Sequence, residues 1–295
     1  MKLAAREKID VVFKQVFRTA GLLTIAILSG IFLMLIWNTI AFFTDIKPLD
    51  FITGTQWSPG NKKGAEYGIF PLLISTGLVT AGAMLIAVPL GIGTAAFISD
   101  YAGKRLQNIL KPLIEILASV PSVAIGFLGI VLVGPAIAKL FGIENGLNAL
   151  NGAILLAVMS LPTIITVAED AIHALPQTYR EASYGVGASK WQTLINVTIP
   201  AAAPGLIAAV MLGMGRAIGE TMTVLMATGN AAAFPKGFLD SIRTITATIA
   251  IEMGEVPYQT THYFALFAIA TVLFMITLGV NLIGERFANR YRKFH

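Results

Sequence analysis

Cysteine is absent from the 295-residue chain, which excludes disulfides, thiolate zinc sites and cysteine nucleophiles. Histidine is scarce, and His173, His262 and His295 lie too far apart in sequence to point to a metal-ligand cluster. Charge is scarce as well. Charged residues make up 13% of the chain, against about 25% in a soluble domain, so the chain cannot cover its own surface with charge. No phosphate-binding loop of the form G-x-x-x-x-G-K-[ST] occurs, and no polar segment is long enough to house one. No repeat of about 20–50 residues is visible, which weakens a reading as a secondary transporter built from internal repeats. Paired catalytic carboxylates are also missing, which argues against a membrane-embedded enzyme.

What the chain has in quantity is apolar. Hydrophobic residues reach 56% and the mean hydropathy is +0.76, which rules out a disordered chain and points to an all-α polytopic membrane protein. A helix crosses the hydrocarbon core with about 20 mostly apolar residues. Six such stretches are found, at 21–43, 71–98, 112–140, 151–171, 204–228 and 263–284. Pro89, Pro121, Pro135 and Pro162 lie inside them and predict kinks or breaks.

The net charge of +5 reads as topology rather than as nucleic-acid binding. Fourteen of the 21 Lys and Arg residues fall on one side of the spans: in the N-terminal arm, the turn after the second span, the loop after the fourth and the C-terminus. Six (Lys47, Lys62, Lys63, Lys139, Lys236 and Arg243) fall on the other, and Arg216 lies within a span. The basic side is expected to be cytoplasmic, with both termini there, as six spans require. The first apolar stretch is longer than the core of a signal peptide and no A-x-A-like site follows, so it is read as a retained span. Before it, at 1–20, Ile9, Val12, Phe13, Val16 and Phe17 recur at helical spacing, as in an amphipathic helix lying on a membrane surface.

Two long segments join spans on the less basic side, at about 44–70 and 229–262. Both contain turn sequences and aromatics such as Trp57, Tyr67 and Tyr258. They read either as surfaces for an external partner or, at Trp57, as an interfacial anchor. His262 reads as interfacial, and Glu115, Glu169 and Asp170 as partners of nearby bases. Gly91 and Gly93 suit helix contact through small residues.

The loop at 175–200, after the fourth span, is the most informative segment. Residues 177–185 suit one short helix and 189–197 a second. Gly185 and Gly187 lie between them, where positive φ costs little, and Ser189 is placed to cap the second helix. Trp191, Leu194, Ile195 and Thr198 fall on one face, which predicts either docking into a partner's groove or packing on the chain's own helix ends.

Glu181, Ala182 and Ser183, then Gly187, then Val197 to Pro200 match the spacing of the E-A-A-x3-G-x9-I-x-L-P loop at every position, with Ser183, Val197 and Ile199 as mild departures. The loop resembles that of permease subunits of ABC importers. The resemblance implies that Glu181, Ala182, Gly187, Trp191 and Pro200 belong to a coupling region seated in a separate ATP-binding subunit.

The fifth span contains Arg216 and Glu220. Ionisable residues at that depth are costly and by default functional. At a separation of four residues they share a helical face and can touch. Two readings stand: a self-neutralising structural pair, or a polar site on a pathway. An arginine fork matches an oxyanion, and Thr221 and Thr223 add hydroxyls. Gly213, Gly215 and Gly219 leave room for close packing or a ligand. Glu220 would repel a fully deprotonated anion such as sulfate, yet can accept a hydrogen bond from one that keeps a proton, as phosphate does. It could equally serve only to hold Arg216. Ser119, Ser122 and Thr163, near the proline breaks, are further candidates for the pathway.

This run, together with Tyr67-Gly-Ile-Phe-Pro, Pro121-Ser-Val-Ala-Ile-Gly and the stretch from Arg243 to Glu255, is similar to the phosphate permeases of the Pst system, nearer their PstC type than the sister PstA type. The resemblance covers about residues 51–285. It implies a type I ABC importer permease (MetI-like) core at 71–285, preceded by an extra helix at 21–43 and followed by a basic tail at 286–295. It also implies an inner-membrane location and alternating access. The implied partners are a sister permease, a dimer of ATP-binding subunits and an external phosphate-binding protein, together with membrane lipid and no nucleic acid. No cofactor is expected in this chain; ATP and Mg would sit on the partner. Arg216 and Glu220 would lie on the phosphate path. The alternatives are a permease for phosphonate or sulfate, and a stand-alone channel or secondary transporter, which has no use for such a loop.

Overall fold

The computed structural model describes residues 2–61 and 64–292, with side chains in 12–61 and 64–288. Ile9 of the N-terminal arm and most of the basic tail lie outside the described side chains. Six helices are long and apolar enough to cross a membrane. The first, α1 (Lys2–Asp45), takes the arm and the first span as one uninterrupted helix. Its apolar side chains from Val12 onward are largely exposed, as suits a lipid-facing surface. It packs along the last helix, where Thr39 and Thr271 share a hydrogen bond of 2.8 Å and Phe32 lies against Phe274.

A short helix α2 (Pro48–Thr53) follows, then a two-residue antiparallel ladder of β1 (Trp57–Ser58) and β2 (Glu66–Tyr67). Here Gly54 and Gly68 come so close that a Cβ on Gly68 would sit 2.3 Å from the Gly54 carbonyl carbon. Only residues without side chains allow that approach. The second span is α3 (Phe70–Ala96), ending in a π turn over Phe97–Tyr101.

The third span, expected as one stretch over 112–140, is divided. Helix α4 (Lys104–Ser119) stops at Val120 and Pro121, both extended, because proline lacks an N–H and disfavours helical φ/ψ in the residue before it. The chain resumes as α5 (Ser122–Leu128), a π turn over Gly129–Val133 and α6 (Gly134–Phe141). The π turn disturbs the backbone ladder, and Asn151 Nδ2 donates to the Gly129 carbonyl at 3.0 Å. A carbonyl in an apolar setting needs such a donor.

The fourth span, α7 (Ala149–His173), is capped by Asn148. The basic loop contains α8 (Gln177–Gly185) and α9 (Lys190–Thr193). Through a π turn over Leu194–Thr198, α9 continues into α10 (Ile199–Gly219). The fifth span therefore begins well before residue 204 and ends before residue 220. Beyond it come α11 (Met222–Ala227), α12 (Ile245–Glu252) and α13 (Thr261–Arg292).

Helices α3, α7 and α10 form the centre of the bundle. Ile164 of α7, fully buried, is wedged between two glycines: a Cβ on Gly91 of α3 would lie 2.6 Å from its Cγ2, and one on Gly213 of α10 2.5 Å from its Cγ1. Close packing of this kind holds helices together where the surrounding lipid provides no hydrophobic drive. Gly93 meets nothing within 4 Å, so the small-residue contact falls to Gly91.

The less basic end is closed by a hub on Glu252. Its Oε1 accepts from Arg243 Nη1 at 3.0 Å and from Trp57 Nε1 at 3.0 Å, and its Oε2 lies 2.8 Å from His262 Nε2. Arg243 Nε donates in turn to the Asn230 carbonyl. Trp57 is buried, at 4% exposure, so it is a structural tie between the two long segments and not an interfacial anchor. His262 is likewise drawn inward, as a hydrogen-bond partner of the same carboxylate. Nearby, burial and then the Asp45 charge raise the pKa of the Tyr67 phenol.

Replacing Glu252 with Ala leaves the Arg243 guanidinium and Trp57 N–H without their acceptor. The expected cost is about 3 kcal/mol, read as a lowered unfolding midpoint in detergent. Glu255→Ala, at an exposed position, is expected to stay within about 0.5 kcal/mol of wild type.

Candidate functional site

Two regions carry the residues singled out from the sequence. The first is the basic loop. Its second helix starts with a reciprocal cap, in which Ser189 Oγ accepts from Gln192 N–H and Gln192 Oε1 accepts from Ser189 N–H. This is why the chain turns into a helix there. Gly187 has φ of +88° and donates its N–H to the Tyr184 carbonyl at 2.9 Å. A residue with a side chain is strained in that conformation. Gly185, by contrast, simply ends α8.

The predicted apolar face divides. Leu194 and Thr198 are buried in the bundle, whereas Trp191 and Ile195 remain exposed. Glu181, Ala182, Gly187 and Pro200 are exposed as well. With Tyr184 and Val186 they form an uncovered, partly apolar knob. Self-packing holds for the Leu194 and Thr198 half of the face, and the Trp191 and Ile195 half is left uncovered.

The second region lies where spans three and five are both broken. Helix α10 ends at Gly219. Glu220 is extended, with φ −69° and ψ 132°, before α11 begins. Arg216 and Glu220 therefore do not share one helical face. They form no ion pair among the described residues, which corrects the expectation of an i, i+4 contact. Arg216 Nη1 donates to Thr163 Oγ1 of α7 at 3.2 Å. Its position in the last turn of α10 places a cation where the helix dipole favours one. Glu220 Oε1 accepts from the Thr223 N–H at 3.2 Å, satisfying one free donor at the start of α11. Holding Arg216 is the work of Thr163, not of Glu220.

The two breaks are stitched to each other. Thr223 Oγ1 is bonded to the Ser122 carbonyl at 3.1 Å and to Met159 Sδ at 3.0 Å. Thr246 Oγ1 donates to the Glu220 carbonyl at 2.8 Å. Thr223 is fully buried, so its hydroxyl serves packing. Thr221 is half-exposed and turns its hydroxyl to the Gly219 carbonyl at 3.3 Å. Arg216 and Glu220 are half-exposed too, and Gly219 beside them has open space where a Cβ would stand. Gly213 is spent on the Ile164 contact. The half-exposed polar groups around the break are thus one guanidinium, one carboxylate and two hydroxyls (Thr163 and Thr221).

Ser122 enters through its carbonyl only, and Ser119 Oγ returns to the Ile116 carbonyl. Glu169 takes up Lys111 at 3.0 Å, the pairing with a nearby base expected of it. Sequence reasoning missed the part played by Thr246 and the Glu252 hub. Both depend on contacts between segments far apart in the chain, and only the spread of threonines from Thr244 to Thr248 hints at the first. No group of three or more His, Asp and Glu side chains that could hold a metal ion occurs among the described residues.

Residues 87–293 match the family described as "Binding-protein-dependent transport system inner membrane component". The chain is 37% identical over 245 residues to a probable ABC transporter permease protein, YqgH, of Bacillus subtilis, covering 83% of this chain and 79% of that one. It is 31% identical over 298 residues to the phosphate transport system permease protein PstC of Mesorhizobium japonicum, covering 94% and 89%. Among solved structures it resembles the MetNI methionine ABC transporter in an inward-facing conformation, with TM-score 0.57 and 20% identity over 76% of this chain and 94% of that one. That likeness concerns the fold, a MetI-type permease bundle. With its six spans and these relatives, the chain belongs to the inner-membrane permeases of binding-protein-dependent ABC transport systems, among those similar to PstC.

Proposed function

We propose that this chain is the permease subunit of an ABC importer that moves inorganic phosphate across the bacterial cytoplasmic membrane. The observation that carries the reading is the Arg216 guanidinium, held by Thr163 and left unneutralised by Glu220 at the junction of two broken spans. An unpaired cation at membrane depth is costly and is retained where an anion passes. The relatives that are phosphate permeases support the choice of anion. So does Glu220, whose carboxylate is free of Arg216 and can accept a hydrogen bond from an anion that still carries a proton. A fully deprotonated sulfate offers it none. Thr221 adds a hydroxyl to the path, and Thr223 braces the break behind it.

In this reading the basic end of the bundle and both termini face the cytoplasm, in keeping with the charge asymmetry. The exposed knob of Glu181, Ala182, Gly187, Trp191 and Pro200 seats on a separate ATP-binding subunit, which binds ATP and Mg. This chain contributes translocation and no catalysis of its own. A sister permease covers the face that carries Arg216, since charged groups do not face lipid. An external phosphate-binding protein delivers the ion at the other end. ATP binding and hydrolysis in the ATP-binding subunit then drive alternating access.

Phosphate uptake in vesicles containing the assembled complex, binding protein and ATP tests this. Arg216→Ala is expected to lower uptake about 10–100-fold, the worth of a charged hydrogen bond, while ATP hydrolysis persists. Normal transport by that variant would make the arginine structural and remove the main physical support for an anion path. Gly187→Pro cannot adopt φ of +88° and deletes the N–H bonded to Tyr184. It is expected to separate hydrolysis from uptake, measured as phosphate moved per ATP consumed.

A further inference from the structure

The basic loop is tied to the bundle by an ion pair that the E-A-A-type motif does not include. Arg180, one residue before Glu181, lies on α8. Its Nη2 donates to Asp100 Oδ1 at 2.9 Å and to the Ile172 carbonyl at 3.2 Å. Asp100 belongs to the π turn that ends α3, and Ile172 to the last turn of α7. One guanidinium therefore joins three elements. The two side chains are 18% and 12% exposed, and Arg180 Nε is buried without a partner among the described residues. A buried pair adds little net stability over a well-packed apolar substitute, and its better-attested use is to specify geometry. The incomplete bonding of Arg180 makes stability a poorer account still.

The loop has a second connection to the bundle. Ser183 Oγ lies 2.9 Å from Thr193 Oγ1, tying α8 to α9. From there the chain runs as one helical rod over Lys190–Gly219, about 45 Å long at 1.5 Å per residue. That rod ends at Arg216 and the break at Glu220. The link from loop to α10 is covalent and continuous. The loop is joined to α7 directly as well, through residues 174–176, and Leu194 packs among side chains of both α3 and α7. The polar tie from α8 to the end of α3 is the Arg180 guanidinium. If the loop moved without that clamp, α7 and α10 would be drawn with it while α3 lagged, and the packing of Ile164 between Gly91 and Gly213 would resist the motion.

We propose that the Arg180–Asp100 pair is a transmission strut that makes α3 follow the basic loop together with α7 and α10, so that the central three helices move as one body. The inference rests on the reading of that loop as the element driven by the ATP-binding subunit. Arg180 and Asp100 are positioning residues: they act through the helices they join, not on the transported ion.

The test uses the complete complex in vesicles and measures phosphate uptake and ATP hydrolysis together. Asp100→Asn keeps the shape and removes the charge. It is expected to leave hydrolysis running and to lower phosphate moved per ATP by about tenfold, within the usual range of coupling between sites. Exchanging the charges, with Asp100→Arg and Arg180→Asp in one chain, is expected to restore most of that ratio. A purely structural role would change the amount of assembled complex and leave the ratio unaltered. As this chain has no cysteine, Asp100→Cys with Arg180→Cys gives a second arm. A reversible bis-methanethiosulfonate cross-linker should raise the ratio when it bridges the two sites and lose that gain on reduction. An unchanged ratio in Asp100→Asn, or a bridged pair no better coupled than the reduced one, overturns the strut. Failure of the underlying reading looks different: Gly187→Pro would then also leave the ratio untouched, or the chain would assemble with no ATPase.

Discussion

A guanidinium inside a membrane span that no carboxylate neutralises is the constraint to which the rest of the structure answers. Placing such a group in a span is expensive, and three features of the bundle make it tolerable. Arg216 lies in the last turn of α10, where the helix dipole favours a cation. Thr163 of α7 supplies an acceptor at 3.2 Å. The break that follows turns Glu220 away to cap α11, which keeps the carboxylate near without pairing it. Had α10 continued for one more turn, residues four apart would have faced each other and the charge could have been neutralised.

That break needs support of its own, because an interrupted helix leaves backbone groups unbonded in an apolar setting. The support comes from hydroxyls and a second interruption. Thr246 bonds the Glu220 carbonyl and Thr223 bonds the Ser122 carbonyl beside Pro121. Asn151 does the same for the π turn at Gly129. Thr223, Thr246 and Asn151 are thus partners for backbone that departs from a helix. The Glu252 hub then closes the less basic end around Trp57, Arg243 and His262.

At the opposite end, the path from the exposed knob to Arg216 is short in covalent terms. The helix that begins at the Ser189 cap is the same rod that presents the arginine. A displacement at Trp191 is transmitted along that rod by hydrogen bonds and packing. Helix α7 is joined to the loop through residues 174–176, whereas α3 has no covalent tie to it and meets it only through side chains such as Asp100.

Composition and periodicity determined a good deal. Six apolar stretches of spanning length, the scarcity of charge, and the spacing from Glu181 to Pro200 made the fold class and the permease family readable without coordinates, because span length, desolvation cost and motif spacing are properties of the chain itself. The positive φ at Gly187 and the Ser189 cap were readable for the same reason: they are local. Where the reading went wrong, the contest was between local continuity and distant partners. The fifth span looked unbroken through residue 228 because no proline interrupts the run from Arg216 to Thr228. The break at Glu220 forms because Thr223, Thr246 and Ser122 are there to satisfy it. Trp57 read as an interfacial anchor because its acceptor, Glu252, lies 195 residues away, and Asp100 gave no sign of Arg180, 80 residues on. Spacing within a helix can be counted along the chain. Which carboxylate meets which guanidinium is decided only when α3, α7 and α10 pack around Ile164.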